Sequence, residues 1–183
     1  KKPYIIDTPS QLAYLASEVN SGNSYANTFF RITKSMDLEN KKWTPIGNGE
    51  TDYSTVYKVA VTNKFSGHID GTGITVDNLN IEELDRYGVG LIGVMDSGSV
   101  KNIIVRGSIK GKGIVGGIVG AVNAGTVSSC INRASVSAIQ DEEANTHSGD
   151  MAGGIVGYAK TESLIRENIN YGKVETTNYK FET

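Results

Sequence analysis

Gly90-Leu91-Ile92-Gly93, Gly117-Ile118-Val119-Gly120 and Gly154-Ile155-Val156-Gly157 are three copies of one four-residue unit, and their spacing decides how this chain of 183 residues folds. The closing glycines of successive units lie 27 and then 37 residues apart, and the longer interval fits an inserted loop around Ala138–Ser148. After each unit come a turn and a strand-like segment: Ser99-Val100-Lys101-Asn102-Ile103, Thr126-Val127-Ser128-Ser129-Cys130 and Leu164-Ile165-Arg166-Glu167-Asn168. An earlier copy of that segment, Thr75 to Ile81, precedes the first by 24 residues. Periods in this range, built from β-type units, predict a solenoid, because no single repeat can bury its apolar face alone.

Laying the copies over one another gives columns expected to stack inward. These are Val76, Val100, Val127 and Ile165; Leu79, Ile103, Cys130 and Asn168; Ile81, Val105, Asn132 and Asn170; and Ile109, Val136 and Val174. Polar residues alternate with them, as one-sided strands require. The glycine pairs ahead of each Ile-Val are expected to bend at positive φ, where a side chain is disfavoured. Glu162 stands where the other repeats carry Gly98 and Gly125, so the third turn departs from the pattern.

Composition agrees with this reading. Glycine supplies 22 of 183 residues, and Ile and Val together number 34 against 7 Leu. Such usage suits short strands joined by tight turns and argues against a helical bundle. With 18 Lys plus Arg against 20 Asp plus Glu, the net charge is -2. A nucleic-acid binder or a polybasic membrane-surface protein would need a cationic face. No apolar run approaches the roughly 20 residues of a membrane span. The single cysteine, Cys130, excludes an internal disulfide. The chain opens Lys1-Lys2-Pro3 without a methionine, so it reads as a trimmed or mature segment whose export signal or anchor would lie elsewhere.

Ahead of the repeats lies one convincing helix. Thr8 is a suitable N-cap, Pro9 suits the first helical position, and Gln11 completes a capping box. Leu12, Leu15, Ala16 and Val19 recur at helical spacing before Asn20-Ser21-Gly22 ends the run. A strand over Phe29–Thr33 and a structured turn at Trp43–Gly47 follow. The expected organisation is one continuous domain. Residues 1–66 give the capping helix, first strands and an inserted loop; residues 67–183 give the solenoid. The fold class is all-β: a parallel β-helix-like solenoid with repeats of about 24–38 residues and a short helix capping its first rung.

These units resemble the GLUG motif of bacterial cell-surface proteins, found also in non-catalytic regions of immunoglobulin-A-cleaving metallopeptidases. The flank from Thr8 to Ala16, then Asp37-Leu38, then Trp43-Thr44-Pro45-Ile46-Gly47, is similar to that family's, as is Phe65–Val76 with its Phe-x-Gly-x-x-Asp-Gly-x-Gly stretch. The resemblance implies a β-helical array displayed outside the cell, on a bacterial surface or secreted, with adhesion to a host glycan or protein as the suspected role. It implies no catalytic residues.

Other motifs have structural readings. Gly88–Gly93 and Gly111–Gly116 both match the dinucleotide fingerprint, but neither is followed by a helix, and both coincide with the repeats. No cofactor is expected. A nucleophile elbow and a zinc-protease helix are absent from the sequence. His68 and His147 fall in unrelated repeats, His68 being expected to solvate a turn. Cys130, in an inward column, reads as a buried, inert thiol. Asp77 and Lys101 are expected to pair across adjacent rungs, while Asp70 stands alone in its glycine-rich turn. Asn132 and Asn170 read as an internal amide ladder rather than a polar pocket.

Candidate ligand-binding residues are Asp52, Tyr53 and Tyr57 in the segment Asn48–Lys64, and Arg106, Arg133 and Tyr171, which align in an outward column. The loop bearing Asp141, Glu142, Glu143 and His147 is a further candidate. Tyrosines and arginines of this kind can stack on sugars or anchor a protein partner. The expected function is thus a non-enzymatic extracellular module that presents loops and a flat face. The alternatives are a polysaccharide lyase or hydrolase on a pectate-lyase-like helix, relying on Asp70 or Asp77, and a non-catalytic substrate-recognition domain of a secreted metallopeptidase. Adjoining repeats or domains of a longer protein are expected partners.

Overall fold

The structure, a computed structural model, describes residues 2–51, 59–84, 88–140 and 151–178. Its order begins with β1 (Tyr4–Ile6), α1 (Pro9–Asn20), β2 (Phe29–Ile32) and β3 (Met36–Asp37), then a hairpin of β4 (Asn48–Thr51) and β5 (Val59–Asn63). The next coil holds β6 (His68–Glu83), β7 (Gly88–Val89) and β8 (Ile92–Met95), and the one after it β9 (Ser99–Lys112), β10 (Ile114–Gly116) and β11 (Val119–Val122). The coil after that holds β12 (Gly125–Ser128), β13 (Ile131–Asn132), β14 (Ser135–Gln140), β15 (Met151–Gly153) and β16 (Val156–Ala159). The last comprises β17 (Ser163–Arg166), β18 (Ile169–Asn170) and β19 (Val174–Asn178).

The coils stack in parallel on three faces. The widest carries the order β1-β2-β6-β9-β12-β17, with β3, β13, β14, β18 and β19 joining at its bends. The other two are β15-β10-β7 and β16-β11-β8. The architecture is therefore all-β, parallel and β-helix-like. Antiparallel pairing is confined, among the described residues, to the hairpin β4–β5, which leaves the stack between Gly47 and Phe65.

The helix forms as its sequence predicts. The Thr8 side chain accepts from Gln11 N and the Gln11 side chain returns to the Thr8 N–H, so two otherwise orphaned donors are satisfied. Its buried residues, Leu12, Leu15, Ala16 and Val19, join Ile6, Phe30 and Ile32 in the core and close the first end of the stack. At the other end the inward residues Ile165 and Val174 are partly exposed.

From Val100 onward the predicted columns stand: Val100 pairs with Val127 and Val127 with Ile165, Asn132 with Asn170, and Val136 with Ile109 and Val174. The preceding coil is slipped from the expected register. Ile69 faces Val100, Ile74 faces Ile103, Val76 faces Val105 and Ile81 faces Ile109, while Leu79 sits against Gly107. The cause is extra residues at two bends, between Asp70 and Ile74 and between Val76 and Leu79, that an ungapped overlay cannot accommodate. Trp43–Gly47 is more than a turn: Ile46 bridges to Ile92, so Pro45-Ile46-Gly47 is an earlier, disguised member of the four-residue unit's column.

The unit glycines also act differently from expectation. Positive φ belongs to Gly47, Gly98 and Gly125 among others, but to none of Gly90, Gly93, Gly117, Gly120, Gly154 or Gly157. Those six are needed for space, since a Cβ at Gly117 would come closer than 3.0 Å to Gly154 and Asn132 of neighbouring turns. Glu162 is not the counterpart of Gly125 either; Ser163 pairs there, closing its turn through Ser163 N to Lys160 O at 3.0 Å.

Candidate functional site

Strands alternate their side chains, so the residue after each inward Val105, Asn132 and Asn170 points outward. Arg106, Arg133 and Tyr171 occupy those positions on three successive coils, roughly 4.8 Å apart. The structure thus brings the three predicted residues together. The Arg133 guanidinium carbon lies over the Tyr171 ring, 4.5 Å from its centroid. Arg106 Nη1 stands 3.5 Å from Asp77 Oδ1 on the preceding coil, and Asp37 pairs with Asp77 one coil further back. The column therefore runs from two carboxylates to two guanidiniums and ends on an aromatic ring 61 % exposed. Beside it run Ile104, Ile131 and Ile169, facing outward in register. Among the described residues no carboxylate meets Arg133, whose charged donors remain available to a ligand.

Asp52, Tyr53, Tyr57, Asp141, Glu142, Glu143 and His147 lie outside the described residues.

The carboxylates considered for catalysis, Asp70 and Asp77, both meet cations on the neighbouring coil. Asp70 is not solitary: it meets Lys101 Nζ at 3.3 Å and accepts from Asn102 Nδ2 at 2.9 Å and Thr72 N at 3.0 Å. Burial pushes the Asp70 carboxyl up, but those three donors outweigh it and hold it below the usual carboxylate range. The expected Asp77–Lys101 pair is replaced by Asp70–Lys101 and Asp77–Arg106, a direct result of the register slip. His68 begins β6 rather than sitting in a turn. It stacks on Phe29 at 4.5 Å, with Nδ1 3.0 Å from Ser99 Oγ. Cys130 is buried, and burial pushes its thiol up to about 11. Among the described residues no group of three His, Cys, Asp or Glu could hold a metal ion. No described helix is long and apolar enough to cross a membrane.

Two depressions mark the described surface. A polar notch of about 430 Å³ is lined by Asp96, Asn123, Lys160 and Glu162 at stacked turns; Asp96 is engaged by Lys64 at 2.6 Å and Asn123 at 3.2 Å. A cleft of about 400 Å³ opens between α1 and β1, lined by Tyr4, Tyr14, Tyr25, Phe30 and Gln11 with aliphatic neighbours. Sequence reasoning missed this cleft because its rings come from three separate elements. The signal that could have found it is Tyr14, an aromatic on the polar side of an amphipathic helix.

No protein-family model matches the chain. Its fold is similar to the crystal structure of a "putative immunoglobulin A1 protease" from Bacteroides ovatus, with a TM-score of 0.61 at 20% identity over 97% of this chain and 59% of that one. Halomucin of Haloquadratum walsbyi is 28% identical over 118 residues, which are 62% of this chain and 1% of that protein. A "Putative Gly-rich membrane protein" of Evansella cellulosilytica is 27% identical over 109 residues, 58% of this chain and 11% of that protein. The chain thus corresponds to a small part of either curated relative and to about three-fifths of the solved chain. At this identity the structural likeness establishes a shared fold.

Proposed function

We propose that this chain is a non-enzymatic extracellular module of the GLUG-repeat kind, on a bacterial surface or secreted, that presents a flat face to a host glycan or protein. The observation that carries the reading is the outward column Arg106, Arg133 and Tyr171. A rigid parallel stack holds two guanidiniums and an exposed ring in line, beside an isoleucine stripe. Arg and Tyr dominate binding hot spots because they combine wide contact area with directed donors. The rigid scaffold lowers the ordering cost of binding. The partly exposed inward residues Ile165 and Val174 support a further parallel coil or adjoining domain covering the last coil. The test is a screen of glycans and host proteins against the wild-type chain, a form with Asn48–Lys64 trimmed, and Arg133→Ala. The reading predicts a ligand that Arg133→Ala weakens about tenfold.

A second reading, substrate recognition within a secreted metallopeptidase, draws support from the fold shared with the Bacteroides ovatus chain. Binding of an immunoglobulin rather than a glycan in that screen would favour it.

A further inference from the structure

We propose that the cleft between α1 and β1 binds a small organic cation bearing an alkylated ammonium group, seated against the rings of Tyr4, Tyr14 and Tyr25 with Glu18 as counter-charge. This goes beyond the adhesive reading and is independent of it. Phe30, 7 % exposed, forms the floor. Tyr4 lies 5.7 Å from it at an interplanar angle of 30°, and Tyr25 stands 5.1 Å away at 83°. Two tyrosine planes therefore meet the floor from different directions. Tyr14 adds a wall from the helix, and both it and Tyr4 are about two-thirds exposed, at 64% and 65%. Aromatic faces carry negative electrostatic potential and attract cations within about 6 Å of the ring centroid.

Charge complementarity selects the occupant. Among the described residues no cationic side chain lines the cleft. Glu18 sits in the last turn of α1, where the helix dipole is already negative and the sequence supplies no basic residue. It follows the lining residue Tyr14 at i+4, one turn along the same face of α1, and among the described residues it makes no salt bridge. Burial, then Glu18, then Tyr14 and Tyr4, raise the Tyr25 phenol above its ordinary value. Among the described residues the region is thus negative without a counter-ion. Tyr25 is also held at φ 55, in the left-handed region that bulky residues seldom adopt, by Asn23 Oδ1 accepting from its N–H at 3.3 Å. That backbone fixes the ring over Phe30. An alkylated ammonium combines charge with an apolar surface and loses little hydration on entry, whereas a bare ammonium ion loses much.

The test is titration of the chain with tetramethylammonium and choline, followed through tyrosine ring resonances, with the neutral tert-butyl isostere of choline as control. The cations are expected to saturate, and the isostere to bind about tenfold more weakly or not at all. Glu18→Gln and Tyr14→Leu, the latter keeping an apolar wall without an aromatic face, should each weaken the cations about tenfold while leaving the melting temperature unchanged. Bound cation should also bring the Tyr25 phenol back toward its ordinary titration range. Equal binding of choline and its isostere, indifference to Glu18→Gln, or no saturable cation binding would each overturn the proposal. So would occupation of the cleft by a neutral saccharide that choline fails to displace.

Discussion

Asn132 donates from Nδ2 to Asn170 Oδ1 on the next coil at 2.8 Å, while its own Oδ1 accepts from Ala134 N at 3.0 Å. The same Nδ2 also reaches Ala134 O, so the fully buried amide is satisfied on both atoms. A polar side chain in an apolar column is stabilising only under that condition. Asn132→Ala leaves the Ala134 N–H and carbonyl without these partners and should cost about 2–4 kcal/mol in chemical denaturation. Asn170→Ala, on the more exposed last coil, should cost about 1 kcal/mol.

Two glycines separate space from backbone angle. A Cβ at Gly117 would run into Gly154 and Asn132, so Gly117→Ala should cost about 3 kcal/mol. Gly73 has open space around it but φ +83, and Gly73→Ala should cost only about 1 kcal/mol, the left-handed penalty. Melting curves of the two variants check the ordering.

How far these features are legible in the sequence depends on regularity. The coils from Ser99 onward keep nearly constant bends, so their inward columns and the outward Arg106–Arg133–Tyr171 line follow from spacing alone. The coil of Ile69, Ile74 and Val76 does not, because its bends at Thr72 and Asn78, both at positive φ, carry extra residues. That slip alone misassigned the partners of Asp70, Asp77 and Lys101. The unit glycines are visible as a pattern, but whether each serves φ or close approach depends on the neighbouring coil. The tyrosine cleft is invisible locally, since docking α1 onto β1 and β2 creates it.

Asp70 and Asp96 should make the fold acid-sensitive. In Asp96, as in Asp70, burial raises the carboxyl, but Lys64 and Asn123 outweigh it and leave it lowered. A group lowered on folding contributes stability above its unfolded value, about 3.9, and loses it as pH falls through the folded value. Denaturation midpoints should therefore hold from neutrality to about pH 4 and fall below it. In Asp70→Asn and Asp96→Asn that fall should be shallower.

Cys130 should be unreactive in the native chain. Its thiol, pushed up to about 11 by burial, bears little thiolate at pH 8 and is closed to reagent. Labelling with a thiol-specific chromogenic reagent should proceed only after denaturant is added, at a rate tracking global unfolding.

The outward column is the centre of the functional account, and one measurement reaches it most directly. Binding of the wild-type chain and of Arg106→Ala/Arg133→Ala/Tyr171→Ala to the ligand from the glycan and host-protein screen should be compared at matched thermal stability. The account predicts saturable binding by the wild type and a loss of at least about a hundredfold in the triple variant, with an unchanged melting temperature. Undiminished binding by the triple variant, or turnover of the ligand by the wild type, would contradict it.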